Sequence, residues 1–145
     1  YGAMIIALPM TDDGIPDTVT GRWDALQKIA DMAAAYGYEP KDICVDGLLL
    51  AVCTSPTSGK VSLETISLAN QAGYPTVCGL SNISFGMPER PLLNSTFLAM
   101  AIGKGLTTAI GNPSSEAIMK TIAAAEALNG QDADTLRYIM KVTAG

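Results

Sequence analysis

Short apolar runs alternate with amphipathic stretches along the chain. Residues 2–8 form a continuous apolar run that ends at Pro9, and such a run predicts a strand buried on both faces. Three further strands are predicted within residues 42–52, 75–80 and 106–110. The second of these runs is interrupted by one charged residue, Asp46.

The stretches between the runs have the period of helices. Asp17, Thr18 or Thr20 can cap a first helix that ends at Gly37. Its apolar stripe is formed by Trp23, Leu26, Ile29, Ala30 and Ala33.

Four more helices follow the same pattern. One is predicted from a cap at Ser62 to Gly73, with a stripe of Leu63, Ile66 and Ala69, and another covers residues 92–104. Asn112 is predicted to cap the next helix, with Pro113 at its first position, and the last begins near Asp132.

The predicted order is therefore βαβαβαβα with one extra helix. Strands that alternate with helices indicate a parallel sheet joined by right-handed crossovers. Either an open doubly wound sheet or a section of a (β/α)8 barrel fits this order. A complete barrel needs about 250 residues, so four βα units in 145 residues amount to half of one.

Composition excludes several classes of function. The net charge of −5 and the scattered basic residues argue against a nucleic-acid surface. No apolar run reaches the roughly 20 residues that a membrane span needs. Residues 1–4 lack the form of a signal peptide, and the absence of an initiator Met indicates that upstream residues are missing.

Cysteine and histidine usage further restricts the chemistry. Cys44, Cys53 and Cys78 have neither the spacing of a metal site nor an even count, so we expect reduced core cysteines in a cytoplasmic protein. The chain has no His, which excludes a Ser-His-Asp triad and His-ligated zinc. We expect no metal bound by this chain.

Polar residues that follow the predicted strands are candidates for a site, because ligands bind at the carboxyl ends of parallel strands. Asp46 is either paired with a basic residue or turn amides, or it grips a planar pair of N–H donors. Gly79, Ser81 and Asn82 end the third strand, where composition alone favours ordinary turn chemistry over a binding role. Asp12 and Asp13 after the first strand and the stretch 111–115 are better explained by solvation and capping.

Several of these segments resemble a known family. They are YGAMIIALPM at residues 1–10, GIP at 14–16, GLSNIS at 79–84, RPLLN at 90–94, FLAMA at 97–101 and GLTTAI at 105–110. The chain is similar over essentially its whole length to the methyltetrahydrofolate:corrinoid protein methyltransferases. The folate domain of cobalamin-dependent methionine synthase shares this pterin-binding fold, and dihydropteroate synthase shares it more distantly.

The resemblance implies a fold and a reaction. Residues 1–145 match the fifth to eighth units of a (β/α)8 barrel, a dihydropteroate synthase-like fold, and the N-terminal half is absent. The implied reaction is methyl transfer from 5-methyltetrahydrofolate to the Co(I) corrinoid of a partner corrinoid protein. We also expect a homodimer, and the charge and the short apolar runs indicate no contact with nucleic acid or membrane. A dihydropteroate synthase-like enzyme and a non-catalytic pterin-binding fragment are the alternatives.

The resemblance also assigns roles to residues. Asp46 matches the carboxylate that holds the pterin, while Gly79 and Ser81 line it and Ile110 packs near the ring. Asn82 matches the asparagine that approaches N5, the atom that carries the methyl group, and would stabilise the developing positive charge there. Some members have Gln where Phe85 stands, and Pro is frequent where Gly47 stands. No basic residue occupies positions 81–83, unlike in dihydropteroate synthases.

Overall fold

The computed structural model describes residues 2–143, so Tyr1 of the first matching segment lies outside the described part. The strands are β1 (Ile5–Ala7), β2 (Ile43–Asp46), β3 (Thr76–Gly79) and β4 (Thr108–Ile110). The helices are α1 (Val19–Ala34), α2 (Ser58–Gln71), α3 (Arg90–Gly103), α4 (Glu116–Leu128) and α5 (Leu136–Thr143). Short 3₁₀ helices occupy Pro40–Asp42, Leu80–Asn82 and Ala133–Thr135.

The four strands form one parallel sheet in the order β1-β2-β3-β4. Each strand is followed by a helix, so the predicted βα alternation is confirmed. Sequential parallel strands that never reverse their order are typical of a barrel rather than of a doubly wound sheet, whose strand order switches. The chain is thus an α/β fold of four βα units, the content of half a (β/α)8 barrel.

The helices cover one face of this sheet. On that face Ala7 and Val45 pack with Leu26 of α1 and Ala69 of α2. A second cluster joins Cys78 of β3 to side chains of α2 and α3. Successive strand residues point to opposite faces, and parallel partners point to the same face. Ile6, Cys44, Asp46, Val77, Gly79, Thr108 and Ile110 therefore form the other face, which we call the open face.

The prediction that the first strand is buried on both faces is wrong. Ile6 is 55% exposed and Leu8 is also exposed. The apolar run does form a strand, but a strand at the edge of this sheet pairs on one side only. Its helix-facing residue Ala7 is buried, whereas the side chains on its other face meet no covering layer within residues 2–143.

The helix starts confirm one predicted cap and contradict two. Thr18 caps α1, with its side-chain oxygen accepting from the Gly21 amide at 3.1 Å. Ser62 was predicted to cap α2, but the helix begins at Ser58 and Ser62 is buried within it. Asn112 was predicted to cap α4, but Ser115 does so, and Asn112 instead accepts from the Ser114 amide within the preceding turn.

The cysteines are only partly as predicted. Cys44 and Cys78 are buried, whereas Cys53 is exposed because it lies in the loop after β2 rather than in a strand. Burial raises the pKa of the Cys78 thiol to about 12. Burial, together with the charge of Asp46, also raises the pKa of the Cys44 thiol. Among residues 2–143, no helix has the length and apolar character needed to cross a bilayer.

Candidate functional site

The carboxyl ends of the four strands lie at one edge of the sheet, and Asp46 and Gly79 are the last residues of β2 and β3. Asp46 is in register with Val77, and Gly79 is in register with Ile110. Asp46, Gly79 and Ile110 share the open face because residues two apart, and parallel partners, point to the same side. Neighbouring strands lie about 4.8 Å apart, so these positions are close together.

Asn82 is placed over the same face by Gly79. A Cβ atom built on Gly79 would lie 3.2 Å from Asn82 Nδ2, tighter than about nine in ten real contacts of a Cβ atom. That Cβ would point to the open face, so the Asn82 amide lies on the face that carries Asp46. Glycine at this position leaves the space that the amide occupies.

Asp46 is a partly buried carboxylate at the end of an apolar strand. Within residues 2–143, Asp46 Oδ1 accepts a hydrogen bond of 2.9 Å from the Leu48 amide. Burial raises the pKa of Asp46, while the Leu48 hydrogen bond and the Arg22 charge partly offset that rise. Asp46 thus has the turn-amide partner named as the structural alternative for this residue. Its Oδ2 keeps its capacity to accept hydrogen bonds.

Gly47, directly after Asp46, stands at a position that neither proline nor a larger residue fits. Its amide donates to the Val77 carbonyl at 2.8 Å, which extends the pairing of β2 with β3 beyond Asp46. Proline has no N–H and could not make this bond. A Cβ atom at position 47 would also meet Ile66 at 3.1 Å. Asp46 therefore ends a strand that is held to its neighbour on both sides of the carboxylate.

The loop that carries Asn82 is held by Arg90. The Arg90 guanidinium donates from Nη2 to the Ser81 carbonyl at 3.0 Å and from Nε to Ser84 Oγ at 3.1 Å. The Ser84 hydroxyl in turn donates to the Ser81 carbonyl at 3.4 Å. Ser81 thus fixes the turn through its backbone, and Ile83 anchors the turn in the core.

The loops after β2 and β3 are joined to each other. The Val52 amide donates to the Ile83 carbonyl at 3.1 Å, and the Cys53 thiol donates to the Phe85 carbonyl at 3.1 Å. Phe85 is exposed. These cross-loop bonds fix the loop that follows Asp46 relative to the loop that carries Asn82.

Ile110 and the aspartates after β1 complete the description of the predicted residues. Ile110 is 60% exposed, and all three residues of the edge strand β4 are exposed. Asp12 and Asp13 are exposed in the turn between Thr11 and Gly14, at the same end of the sheet as the site. No group of three or more potential metal ligands occurs among residues 2–143.

One buried charged residue near Asp46, Arg22, was missed by the sequence analysis. Arg22 is 2% exposed, and Nη1 donates to the Gly47 carbonyl at 2.7 Å and to Ser62 Oγ at 3.3 Å. Its Nε donates to the Pro16 carbonyl at 3.0 Å. Arg22 lies four residues before Leu26, on the apolar stripe of α1. A charged residue on that stripe was the signal that could have revealed it.

A cavity lies at the opposite end of the sheet. It has a volume of about 770 Å³, and its wall includes Gly105, Leu106 and Thr107, which precede β4. Since ligands of parallel α/β folds bind at the carboxyl ends of the strands, this cavity does not coincide with the candidate site. Beside Asp46 the open face is exposed only in part, since Cys44 and Val77 on the same face are buried.

The chain is similar to a corrinoid methyltransferase. It is 31% identical over 140 residues to the methylcorrinoid:tetrahydrofolate methyltransferase of Eubacterium limosum, an alignment that covers 92% of this chain and 50% of that protein. The chain thus spans about half the length of this relative. No known family model matches the sequence. The similarity supports the resemblance drawn from the sequence, and the roles of individual residues stay predictions.

Proposed function

We propose that this chain forms the C-terminal half of a pterin-binding barrel that transfers a methyl group between methyltetrahydrofolate and a corrinoid protein. The observation that carries the proposal is the placement of Asp46 and the Asn82 amide on one face, at the carboxyl end of the sheet. The similarity to a methylcorrinoid:tetrahydrofolate methyltransferase supports the choice of substrates.

Asp46 binds the pterin in this proposal. Its carboxylate lies at a strand end with Oδ1 bonded to the Leu48 amide, and Oδ2 is left to accept from the N–H edge of a pterin. A carboxylate that accepts from two adjacent N–H donors fixes both the position and the plane of the ring. Because this contact is present before and during the reaction, it supplies orientation.

Asn82 acts at N5 of the pterin. A tertiary amine is a poor leaving group, and it leaves more readily when it carries positive charge. The Asn82 amide has no usable pKa, so it cannot donate a proton, but its oxygen can accept a hydrogen bond from a protonated N5. A polar group aimed at charge that develops in the transition state accelerates the chemical step.

The corrinoid belongs to the partner protein, and when bound it supplies the cobalt centre that exchanges the methyl group. We assign the direction from 5-methyltetrahydrofolate to the Co(I) corrinoid, although the relative is named with methylcorrinoid first. The same residues serve both directions because forward and reverse reactions share one transition state. The homodimeric state and the cytoplasmic location are further predictions from the resemblance and the cysteines.

The proposal is tested in the complete protein that contains this chain, with equilibrium binding of 5-methyltetrahydrofolate and single-turnover methyl transfer. Asp46→Asn should weaken folate binding about 10–100-fold, the range of a lost charge-assisted hydrogen bond. Asn82→Ala should slow methyl transfer about 10–10³-fold and weaken binding much less, since it acts mainly in the transition state.

Matched controls use the same substitutions elsewhere. Asp24→Asn, at an exposed position of α1, and Asn129→Ala, at the end of α4, should leave both folate binding and methyl transfer unchanged. Methyl transfer by Asn82→Ala at the parental rate under saturating folate would reduce Asn82 to part of the pocket wall. Folate binding without any transfer by the parent protein would favour a non-catalytic pterin-binding protein. Formation of dihydropteroate would favour the dihydropteroate synthase-like alternative.

A further inference from the structure

The backbone beside Asp46 adopts an unfavourable conformation. Leu48 has a φ of +47°, in the left-handed region that is costly for a residue with a bulky side chain. Residues in such conformations persist only when surrounding contacts enforce them. The Leu48 amide is also the group that donates to Asp46 Oδ1. The conformation of residues 46–48, here called the Asp46 turn, therefore sets the orientation of the carboxylate.

Side chains from two neighbouring helices, α1 and α2, form hydrogen bonds with the carbonyls of this turn. Arg22 of α1 donates to the Gly47 carbonyl at 2.7 Å. Ser62 of α2 donates to the Leu48 carbonyl at 3.4 Å and accepts from Arg22 at 3.3 Å. Ser62 is 0% exposed, so water does not replace these bonds in the folded state. Two consecutive carbonyls of the turn are thus bound by one connected pair of buried side chains.

We propose that Arg22 and Ser62 are positioning residues that hold the Asp46 carboxylate in its ligand-binding orientation by enforcing the left-handed Leu48 conformation. Without the pair, Leu48 relaxes toward negative φ, its amide turns away from Oδ1, and the carboxylate is free to rotate. Neither residue touches the ligand. The expected effect on affinity rests on the function proposed above, whereas the effect on the turn does not.

Ser62→Ala is the variant that tests the pair with least disturbance of the core. We expect the Leu48 amide to exchange with solvent about 5–10-fold faster, as loss of one hydrogen bond of the turn implies. We expect the affinity for 5-methyltetrahydrofolate to fall about 3–10-fold. Both are measured in the complete protein, the exchange by NMR with ¹⁵N-leucine labelling.

Ser58→Ala is a matched control. Ser58 is a serine of the same helix, 2% exposed, and its Oγ accepts from the Leu50 amide at 2.8 Å. The Ser58→Ala variant should lower the stability of the fold about as much as Ser62→Ala does. Its Leu48 amide exchange rate and its folate affinity should stay within about twofold of the parent values. If both variants changed Leu48 amide exchange and folate affinity equally, the two serines would only stabilise the loop in general, and the proposal would be overturned.

A double-mutant cycle separates positioning from stability. If Ser62 acts through Asp46, adding Ser62→Ala to Asp46→Asn should cost little further affinity, because the carboxylate it positions is gone. Additive losses would overturn the proposal, as would unchanged Leu48 exchange in Ser62→Ala. If the parent protein binds no folate, the proposed function fails, and the exchange of the Leu48 amide still decides whether Ser62 enforces the turn.

Discussion

Asp46 and Arg22 are both charged groups removed from water, and they are compensated differently. Arg22 is almost fully buried, yet its guanidinium donates to the Pro16 and Gly47 carbonyls and to Ser62. Asp46 accepts one hydrogen bond from the Leu48 amide, and burial outweighs this bond and the Arg22 charge in setting its pKa. A carboxylate kept in a place that disfavours its charge is typical of a functional site.

Asp46→Asn should therefore stabilise the protein at neutral pH. The folded-state pKa of Asp46 lies above its unfolded value, so ionisation costs stability as the pH rises through its titration range. An amide removes this cost and can still accept from the Leu48 amide. We expect Tm at pH 7 to rise by on the order of 2 °C, with the gain disappearing at acid pH.

Calorimetry at several pH values checks this expectation, with Asp24→Asn as the exposed control. A lower Tm at pH 7 for Asp46→Asn would show that the ionised carboxylate stabilises the fold. A gain in stability combined with a loss of folate affinity would identify Asp46 as a residue maintained for binding at the expense of stability.

The sequence revealed Asp46 but not the residues that support it. A lone carboxylate in an apolar run is conspicuous, and its strand-end position follows from the βα order. Arg22 lies in a helix with many polar residues, and its burial depends on which face of α1 packs on the sheet. Ser62 was misread as a cap because serine favours helix starts. The left-handed Leu48 conformation has no sequence signal, since leucine rarely adopts it.

At the scale of elements, the apolar pattern located every strand and helix, whereas several ends were wrong. The stripe of α2 begins at Leu63, so the pattern placed the cap at Ser62. The helix begins a turn earlier, at Ser58, because its first turn packs beneath the loop after β2. Pro113 suggested a helix start, but Asn112 closes a turn there instead and Ser115 is the cap.

The cap of α1 can be tested directly, because the sequence left three candidates open. Thr18→Ala should destabilise the protein by about 1 kcal/mol, since the Gly21 amide loses its side-chain acceptor. Thr20→Ala, within the first turn, should be neutral or slightly stabilising because alanine favours helix. Urea unfolding of both variants is the measurement. An equal loss for both would show that Thr18 contributes nothing specific as a cap.

At the scale of the whole molecule, the open face is the main consequence of having four βα units. β1 and β4 each have one edge with no paired strand among residues 2–143. Ile6 and Ile110 are exposed between those edges, as are Met4 and Leu8 beside β1. Apolar side chains and open edges together favour association with another chain or with further βα units.

Residues 1–145 produced alone should therefore self-associate. Light scattering should detect dimers or larger species at micromolar concentration. Ile6→Lys places a charge on the open face at an edge strand and should shift the population toward monomer. Met32→Lys, at an exposed position on α1, is the control and should leave the distribution unchanged. A stable monomer of 15.0 kDa without any substitution would contradict this prediction.

The buried thiol of Cys44 has a consequence for chemical selectivity. A methyl group activated for transfer is an electrophile, and a thiolate near it would be alkylated, inactivating the protein irreversibly. Cys44 lies on the open face, two residues before Asp46. Burial first, and then the negative charge of Asp46, raise the pKa of this thiol. If the Asp46 site binds a methyl donor as proposed, burial is thus the main factor that favours the less nucleophilic thiol form of Cys44 beside it, and the Asp46 charge adds to this effect.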